Sequence, residues 1–557
     1  MSPNDQRAAT PDRGRGVDAV GLEVVRHRLA SVAEAMGAAL RRAAHSPNIK
    51  ERRDYSCAVF DADGRLLAQA AHIPVHLGAM PASVDAARGV FEGRWQAGDV
   101  VVLNDPQQGG SHLPDLTTVS PVFVENDDRP HAFLATRAHH ADIGGATPGS
   151  MGAAREIFGE GLILPPVRLQ HAGQPVADLL RLIAANSRTP KQREGDLAAQ
   201  LGAHHVGQRW LRPLLASPGH FLSQATALLS WSEELARTGL AGLPLGEASF
   251  EDCVEDDGLG GGPYVIRVRL RLAGREGIHA DFTGTAAQAP GGINAPRAVS
   301  LAALRYVSAC MLPNVPHNDG GFAPLSLEIP RGSLLDPLPP AAVAAGNVET
   351  SQRIVDVLLG ALAQLLPEQV PAASHGTMNN VLGGGIDLDG KPWAYYETTG
   401  GGAGASAAAH GASGRQTHMT NTRNTPVEAI EIDLPLRIER YALREGSGGH
   451  GLRRGGQGVE RTLRFLAPAT ITLVAERRAC APYGLQGGQA GQPGEHLLHP
   501  ADGSEAIRLP AKTSIDVESG DLLVLRTPGG GGWGADPPPL ELGHGTDENA
   551  DPGAGRG

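Results

Sequence analysis

The sequence predicts an α+β fold, with a helix-plus-sheet N-terminal part and a strand-rich C-terminal part. Three observations predict it. Apolar residues recur at helical steps in long stretches, beginning with Leu22, Val25, Leu29, Val32, Met36 and Leu40. Short β-branched runs between Gly, Asp and Pro turns recur beyond that first stretch. Beyond about Glu428 only short strands and turns remain.

Taken in order, residues 1–17 are polar, lack the apolar stretch of a signal peptide, and are expected to be a disordered leader. The periodicity from Leu22 to Leu40 is an amphipathic helix that Ser46-Pro47 ends. Residues 55–60 and 65–70 flank Asp61-Ala-Asp-Gly64, whose Asp-Gly pair suits a tight hairpin; a calcium loop is excluded because its remaining ligand positions are missing. Residues 98–103, 119–124 and 131–138 read as further strands, and the first and third run directly into segments dense in Asp, His and Gly. Residues 190–232 turn helical. The acidic run 251–256 and the glycines of 258–262 break the composition, dividing an N-terminal region, 18–255, from a C-terminal region, 256–536. The second region opens on the alternating strand 265–272 and holds a strong helix over 351–366, stopped by Pro367. Residues 471–475 and 522–525 read as strands, and 537–557 as a disordered Pro/Gly tail.

Composition excludes several functions. The formal charge is −12, from Lys plus Arg 48 against Asp plus Glu 60, and no stretch gathers the basic residues into a nucleic-acid footprint. No run of 18 apolar residues occurs, so the protein is expected to be soluble and cytoplasmic, with no membrane contact. Cys57, Cys253, Cys310 and Cys480 show no C-x-x-C spacing and read as buried thiols.

The densest chemistry lies in Asn104-Asp-Pro-Gln-Gln-Gly-Gly-Ser-His-Leu-Pro-Asp115 and Arg137-Ala-His-His-Ala-Asp-Ile-Gly-Gly145. Pro114 disfavours helix at Leu113, so His112 and Asp115 sit on a stiff loop at a strand end. A catalytic metal needs three imidazole or carboxylate ligands with a position left open. His112, Asp115 and one of His139 and His140 meet that need if their strands are neighbours. Two nitrogens with one oxygen suit zinc or manganese. The competing structural reading makes these residues hydrogen-bonding braces of Gly-rich turns, the role expected of Asp105. Arg52, Arg53 and Arg137 could pair with a substrate carboxylate or phosphate, or be ordinary cations. The glycine clusters 383–385, 400–402 and 529–532 precede no Lys-Ser/Thr pair, so the chain has no Walker A loop and is not expected to hydrolyse ATP alone.

These segments, together with Ile49-Lys-Glu-Arg-Arg-Asp-Tyr-Ser56, Ile73-Pro-Val-His-Leu-Gly78, Pro148-Gly-Ser-Met151, Asp281-Phe-Thr-Gly-Thr285, His418-Met-Thr-Asn421 and Thr527-Pro-Gly-Gly-Gly-Gly-Trp-Gly534, resemble the hydantoinase B family. That family includes N-methylhydantoinase B subunits, the matching half of 5-oxoprolinase, and alpha subunits of acetone and acetophenone carboxylases. The resemblance implies a metal held by His112, Asp115 and a later histidine; His139 is the best match and His140 the alternative. Beside these ligands, His140 is expected to carry protons and Asp142 to orient a ligand imidazole rather than to ligate. The resemblance also implies a hetero-oligomer in which a hydantoinase A-type subunit binds ATP and phosphorylates the substrate. The leading function is metal-assisted ring opening of a cyclic amide, a hydantoin or 5-oxoproline. The alternatives are the alpha subunit of an ATP-dependent ketone carboxylase, with the same site residues, and a non-catalytic scaffold of such a complex.

Overall fold

A computed structural model of the chain describes residues 19–70, 73–125 and 127–536. The expected leader and tail lie outside the described residues. The chain is mixed α+β as predicted, with nine helices and four sheets among the described residues. None of these helices is long and apolar enough to cross a membrane.

The expected first helix runs Ala19–Ala43 and ends on Arg41 and Arg42, cations that complement the negative end of the helix dipole. With helix Pro190–Leu211 it covers one face of a seven-stranded antiparallel sheet. The strand order is Leu66–Gln69, Tyr55–Asp61, Ala132–His139, Asp115–Val122, Val100–Leu103, Val167–His171, Gln174–Pro175. Successive strand side chains point to opposite faces. Thus Cys57 and Val59 pack with Leu29 and Met36, while Ala58 and Phe60 pack with Met80 and Val84 of helix His76–Val90 on the other face.

One strand begins earlier than expected, at Asp115 rather than residue 119. Its polar Thr117 and Thr118 hide it from a hydrophobic pattern, yet both are buried. Thr117 accepts from Arg137 Nε (2.8 Å), and Thr118 Oγ1 meets Thr136 Oγ1 (2.7 Å) and His204 Nε2 (2.8 Å).

Helix His76–Val90 docks the first sheet onto the next region. A Cβ at Gly78 would lie 2.4 Å from the Ala302 backbone nitrogen, so helices His76–Val90 and Arg297–Met311 touch through bare backbone. Helix Arg297–Met311 and the predicted helix, observed as Ser351–Leu365, accompany a sheet ordered Leu325–Glu328, Ile278–Asp281, Tyr264–Leu272, Gly246–Val254. Gly246–Val254 and Tyr264–Leu272 are antiparallel partners. The boundary expected at residues 255–256 therefore falls within a hairpin. The glycines that break the composition serve its connection: Gly258 and Gly260 have positive φ, and the Asp257 carboxylate collects the N–H groups of Leu259 and Gly261.

The C-terminal part is strand-rich as predicted. The sheet containing Asn380–Ile386, Pro392–Glu397, Ala469–Val474 and Lys512–Val517 shares a core with the sheet containing Leu436–Arg444, Gly458–Phe465 and Leu522–Arg526. Buried charge ties this part to the preceding sheet: Arg353 reaches Asp356 (2.8 Å), Asp252 (3.2 Å) and Glu476 (3.4 Å). The cysteine expectation holds for Cys57 alone. Cys310 is exposed, and Cys253 and Cys480 are half-buried neighbours with Sγ atoms 3.7 Å apart.

Candidate metal centre

Two neighbouring strands build the site. Asp115 opens one and His139 closes the other, and the two residues are direct cross-strand partners. The loop before Asp115 is held by Asn104, whose side chain donates to Leu113 O (2.7 Å) and Leu162 O (3.0 Å) and accepts from Leu164 N (2.7 Å). A turn in which Asp115 N–H meets His112 O (3.2 Å) then brings the His112 ring back over the strand end.

As a result one carboxylate oxygen meets both rings. Asp115 Oδ1 lies 3.1 Å from His112 Nε2 and 3.3 Å from His139 Nδ1. Ligand atoms about 2.0–2.2 Å from a shared ion, 90–110° apart, are themselves about 3–3.5 Å apart. His112, Asp115 and His139 are buried, their ligating atoms lie within 4.8 Å of one another, and they form the one such group among the described residues. The Nε2 atom of His112 is buried without a hydrogen-bond partner, which an ion would relieve. The residues present therefore fit a divalent metal. They border a cavity of about 20 Å³, comparable with the space of one ion or water.

The surroundings are aromatic and cationic. The Tyr396 ring stacks on His139 with centroids 4.5 Å apart, and the Arg52 guanidinium lies 4.4 Å from the Tyr396 centroid while donating to Tyr396 O (3.0 Å). The Tyr396 hydroxyl donates to Asn380 Oδ1 (3.0 Å). Burial pushes the Asp115 carboxyl up, but the adjoining rings of His112, His139 and His76 outweigh it and hold the group well below the usual range. Burial pushes His139 down, against the pull of Asp115, favouring the neutral ring that can ligate.

The other sequence-predicted residues lie elsewhere. His140 follows His139 on the opposite face, where its Nε2 meets Gln200 Oε1 (3.1 Å); burial, then Arg193, pushes its pKa down to about 3. Asp142 accepts from Gly144 N (3.2 Å), Gly149 N (3.3 Å), Arg188 N (2.9 Å) and Arg188 Nη1 (3.0 Å), bracing a glycine loop rather than an imidazole. The atom facing His112 Nδ1 is instead the Ala344 carbonyl, 3.3 Å away. Asp105 accepts from Gln107 N (2.9 Å) and so braces the Asn-Asp-Pro turn. Arg137 is buried away from the cavity against Thr117 and Ser83. His76 and Tyr396, both beside the ligands, escaped sequence reasoning. The only signal for His76 was its place in the segment Ile73 to Gly78.

Glu160 supports this wall of the site, its Oε1 accepting from Val343 N and Ala344 N (2.8 Å each). Burial pushes its pKa up to about 8 in spite of those bonds. An unfolded glutamic acid titrates near 4.5, so the folded protein keeps this proton between about pH 4.5 and 8. The associated stability is full below pH 4.5 and is lost as pH rises to 8, by about 1.4 kcal/mol per pH unit. Glu160→Gln, which mimics the protonated form, should flatten the decline of the melting temperature between pH 5 and 8. An unchanged slope would count against this assignment.

Fold and residue set together place the chain among α+β proteins built around a buried imidazole–carboxylate cluster. It belongs to the hydantoinase B/oxoprolinase family, whose model matches residues 18–536. It is 38% identical over 554 residues to 5-oxoprolinase 1 of Arabidopsis thaliana, covering 93% of this chain and 42% of that one. The chain thus spans about two-fifths of that relative's length. In structure it is similar to the ATP-dependent caprolactamase from Pseudomonas jessenii (TM-score 0.87, 28% identity, 94% of this chain and 92% of that one). It also shares its fold with acetone carboxylase (TM-score 0.85, 18% identity, 92% and 75%).

Proposed function

We propose that the chain is a hydantoinase B-type subunit that opens a cyclic amide, of the hydantoin or 5-oxoproline kind, after ATP-dependent activation on a partner subunit. The observation that carries this reading is the 38% identity to a 5-oxoprolinase across 93% of the chain, taken with the converging His112, Asp115 and His139. A caprolactamase of nearly matching coverage adds a second relative named for a cyclic amide. The likeness to acetone carboxylase reaches the fold alone and does not favour carboxylation.

His112, Asp115 and His139 would hold a divalent ion, zinc or manganese, which supplies Lewis acidity toward a carbonyl or phosphoryl oxygen. The Ala344 carbonyl fixes the His112 ring with Nε2 inward, and the Tyr396 ring orients His139 by stacking. Burial of the three residues excludes bulk water, which strengthens each polar contact in the site. His140 and Asp142, the expected proton carrier and orienting group, act in this reading through the packing of the strand end and its glycine loop.

ATP handling belongs to a hydantoinase A-type partner, in keeping with the lack of a Walker A loop. The test is to assay the isolated chain and its complex with that partner on 5-oxoproline, hydantoin and caprolactam. The complex should couple ring opening to ATP consumption, and the isolated chain should consume none. Enzyme-like ATP hydrolysis by the isolated chain, or a complex that carboxylates ketones and leaves cyclic amides intact, would overturn the reading.

A further inference from the structure

One buried histidine beside the cluster, His76, takes no part in the chemistry proposed for His112, Asp115 and His139; a role for it rests on their holding a metal. His76 begins helix His76–Val90, and its position is set by the backbone contact of that helix at Gly78. Its ring bridges two groups. Nδ1 lies 2.8 Å from Ser56 Oγ, and Nε2 lies 3.5 Å from Asp115 Oδ2.

The two Asp115 oxygens are thereby separated in role. Oδ1 is the atom shared by His112 and His139. Oδ2 accepts from Ser111 Oγ (2.8 Å) and faces His76. A carboxylate only accepts, so the ring nitrogen facing it carries the hydrogen, and His76 is the Nε2–H tautomer. Nδ1 then offers its lone pair to the Ser56 hydroxyl, and Ser56 Oγ in turn accepts from Ile73 N (3.4 Å). Every donor in the chain has an acceptor. His76 is outside the set whose ligating atoms converge within 4.8 Å, so it adjoins the ligands without being one.

We infer that His76, oriented by Ser56, is a positioning residue that holds Asp115 Oδ2 away from the metal, so that Asp115 ligates through Oδ1 alone. Without it Ser111 Oγ alone holds Oδ2, so Oδ1 is less firmly aimed between His112 and His139 and the site binds metal more weakly. Outer partners of this kind are worth about 10–100-fold in metal affinity.

The test measures zinc dissociation constants by competition with a chromophoric chelator for the full-length wild type, His112→Ala, His76→Ala, His76→Gln and Ser56→Ala. His76→Ala should bind zinc about 10–100-fold more weakly, and Ser56→Ala more weakly by a smaller factor. His76→Gln, whose amide N–H can replace Nε2–H, should recover most of the affinity. A purely structural role would instead lower the melting temperature of the metal-free His76→Ala and His76→Gln proteins alike and leave affinity untouched. Zinc binding by His76→Ala within about twofold of wild type, well short of the effect of an outer partner, would overturn the inference while leaving the metal reading intact. Should His76→Ala fail to fold, wild-type affinity in Ser56→Ala would overturn it equally. A wild type that binds no zinc, or a His112→Ala protein that binds it as tightly, would remove the metal reading and this inference together.

Discussion

His112→Ala is expected to abolish turnover by the assembled complex and to weaken zinc or manganese binding by more than the ~10–100-fold that outer partners contribute. The reason is geometric. In the proposed site three side chains supply every protein ligand, and His112 Nε2 faces only Asp115. Folding should be largely spared, since the ring borders the site cavity and its one backbone contact is a 3.3 Å approach to Ala344 O. His410→Ala is the control. His410 lies in an exposed loop, where it accepts from Arg454 N (2.8 Å), and that variant should keep its metal and activity. Wild-type metal content and turnover in His112→Ala would refute the site.

Arg353→Ala should have the largest effect on stability. Burial pushes the pKa of this guanidinium down, but the charges of Asp252, Asp356 and Glu476 outweigh burial and hold it above the ordinary range. Its removal leaves three carboxylates crowded in a site that Arg477 and Lys512 only partly neutralise. Breaking a buried charge pair costs about 3–5 kcal/mol. The denaturant midpoint should fall accordingly while the affinity of the remaining folded protein for metal stays unchanged, because the network shares no contact with His112, Asp115 or His139. A loss below about 1 kcal/mol, the range of an exposed pair, would show that the network contributes little.

The two variants separate what the sequence could and could not reveal. His112 and Asp115 were legible as a pair because Pro114 forces a loop and because few roles use two such residues three apart. The pair His139-His140 was not resolvable, since consecutive strand residues face opposite sides and the choice depends on which neighbour each side meets. Only the register, Asp115 opposite His139, shows which of the two rings lies beside the carboxylate. Asp142 looked like a partner for an imidazole by proximity in sequence, but its loop turns it toward Arg188 and backbone N–H groups.

Other features were hidden by composition. Buried threonines disguised the start of the strand at Asp115. Helix His76–Val90 carries Pro81 in its interior, which reads locally as a breaker, so the element that delivers His76 went unmarked. Glycines that resemble a linker proved to be a hairpin connection within one sheet. Tyr396 is far from His139 in sequence, and no local pattern could have paired them. The amphipathic first helix, the helix at Ser351–Leu365 and the strand-rich end were legible because their apolar periods match the faces they bury.

That His112, Asp115 and His139 hold one divalent ion is tested most directly by anomalous diffraction from crystals of the full chain grown with zinc or manganese. The expected result is one anomalous peak per chain in the cavity beneath Tyr396, bonded at about 2 Å to all three residues. No peak there, or a peak bonded to His140 in place of His139, would contradict it.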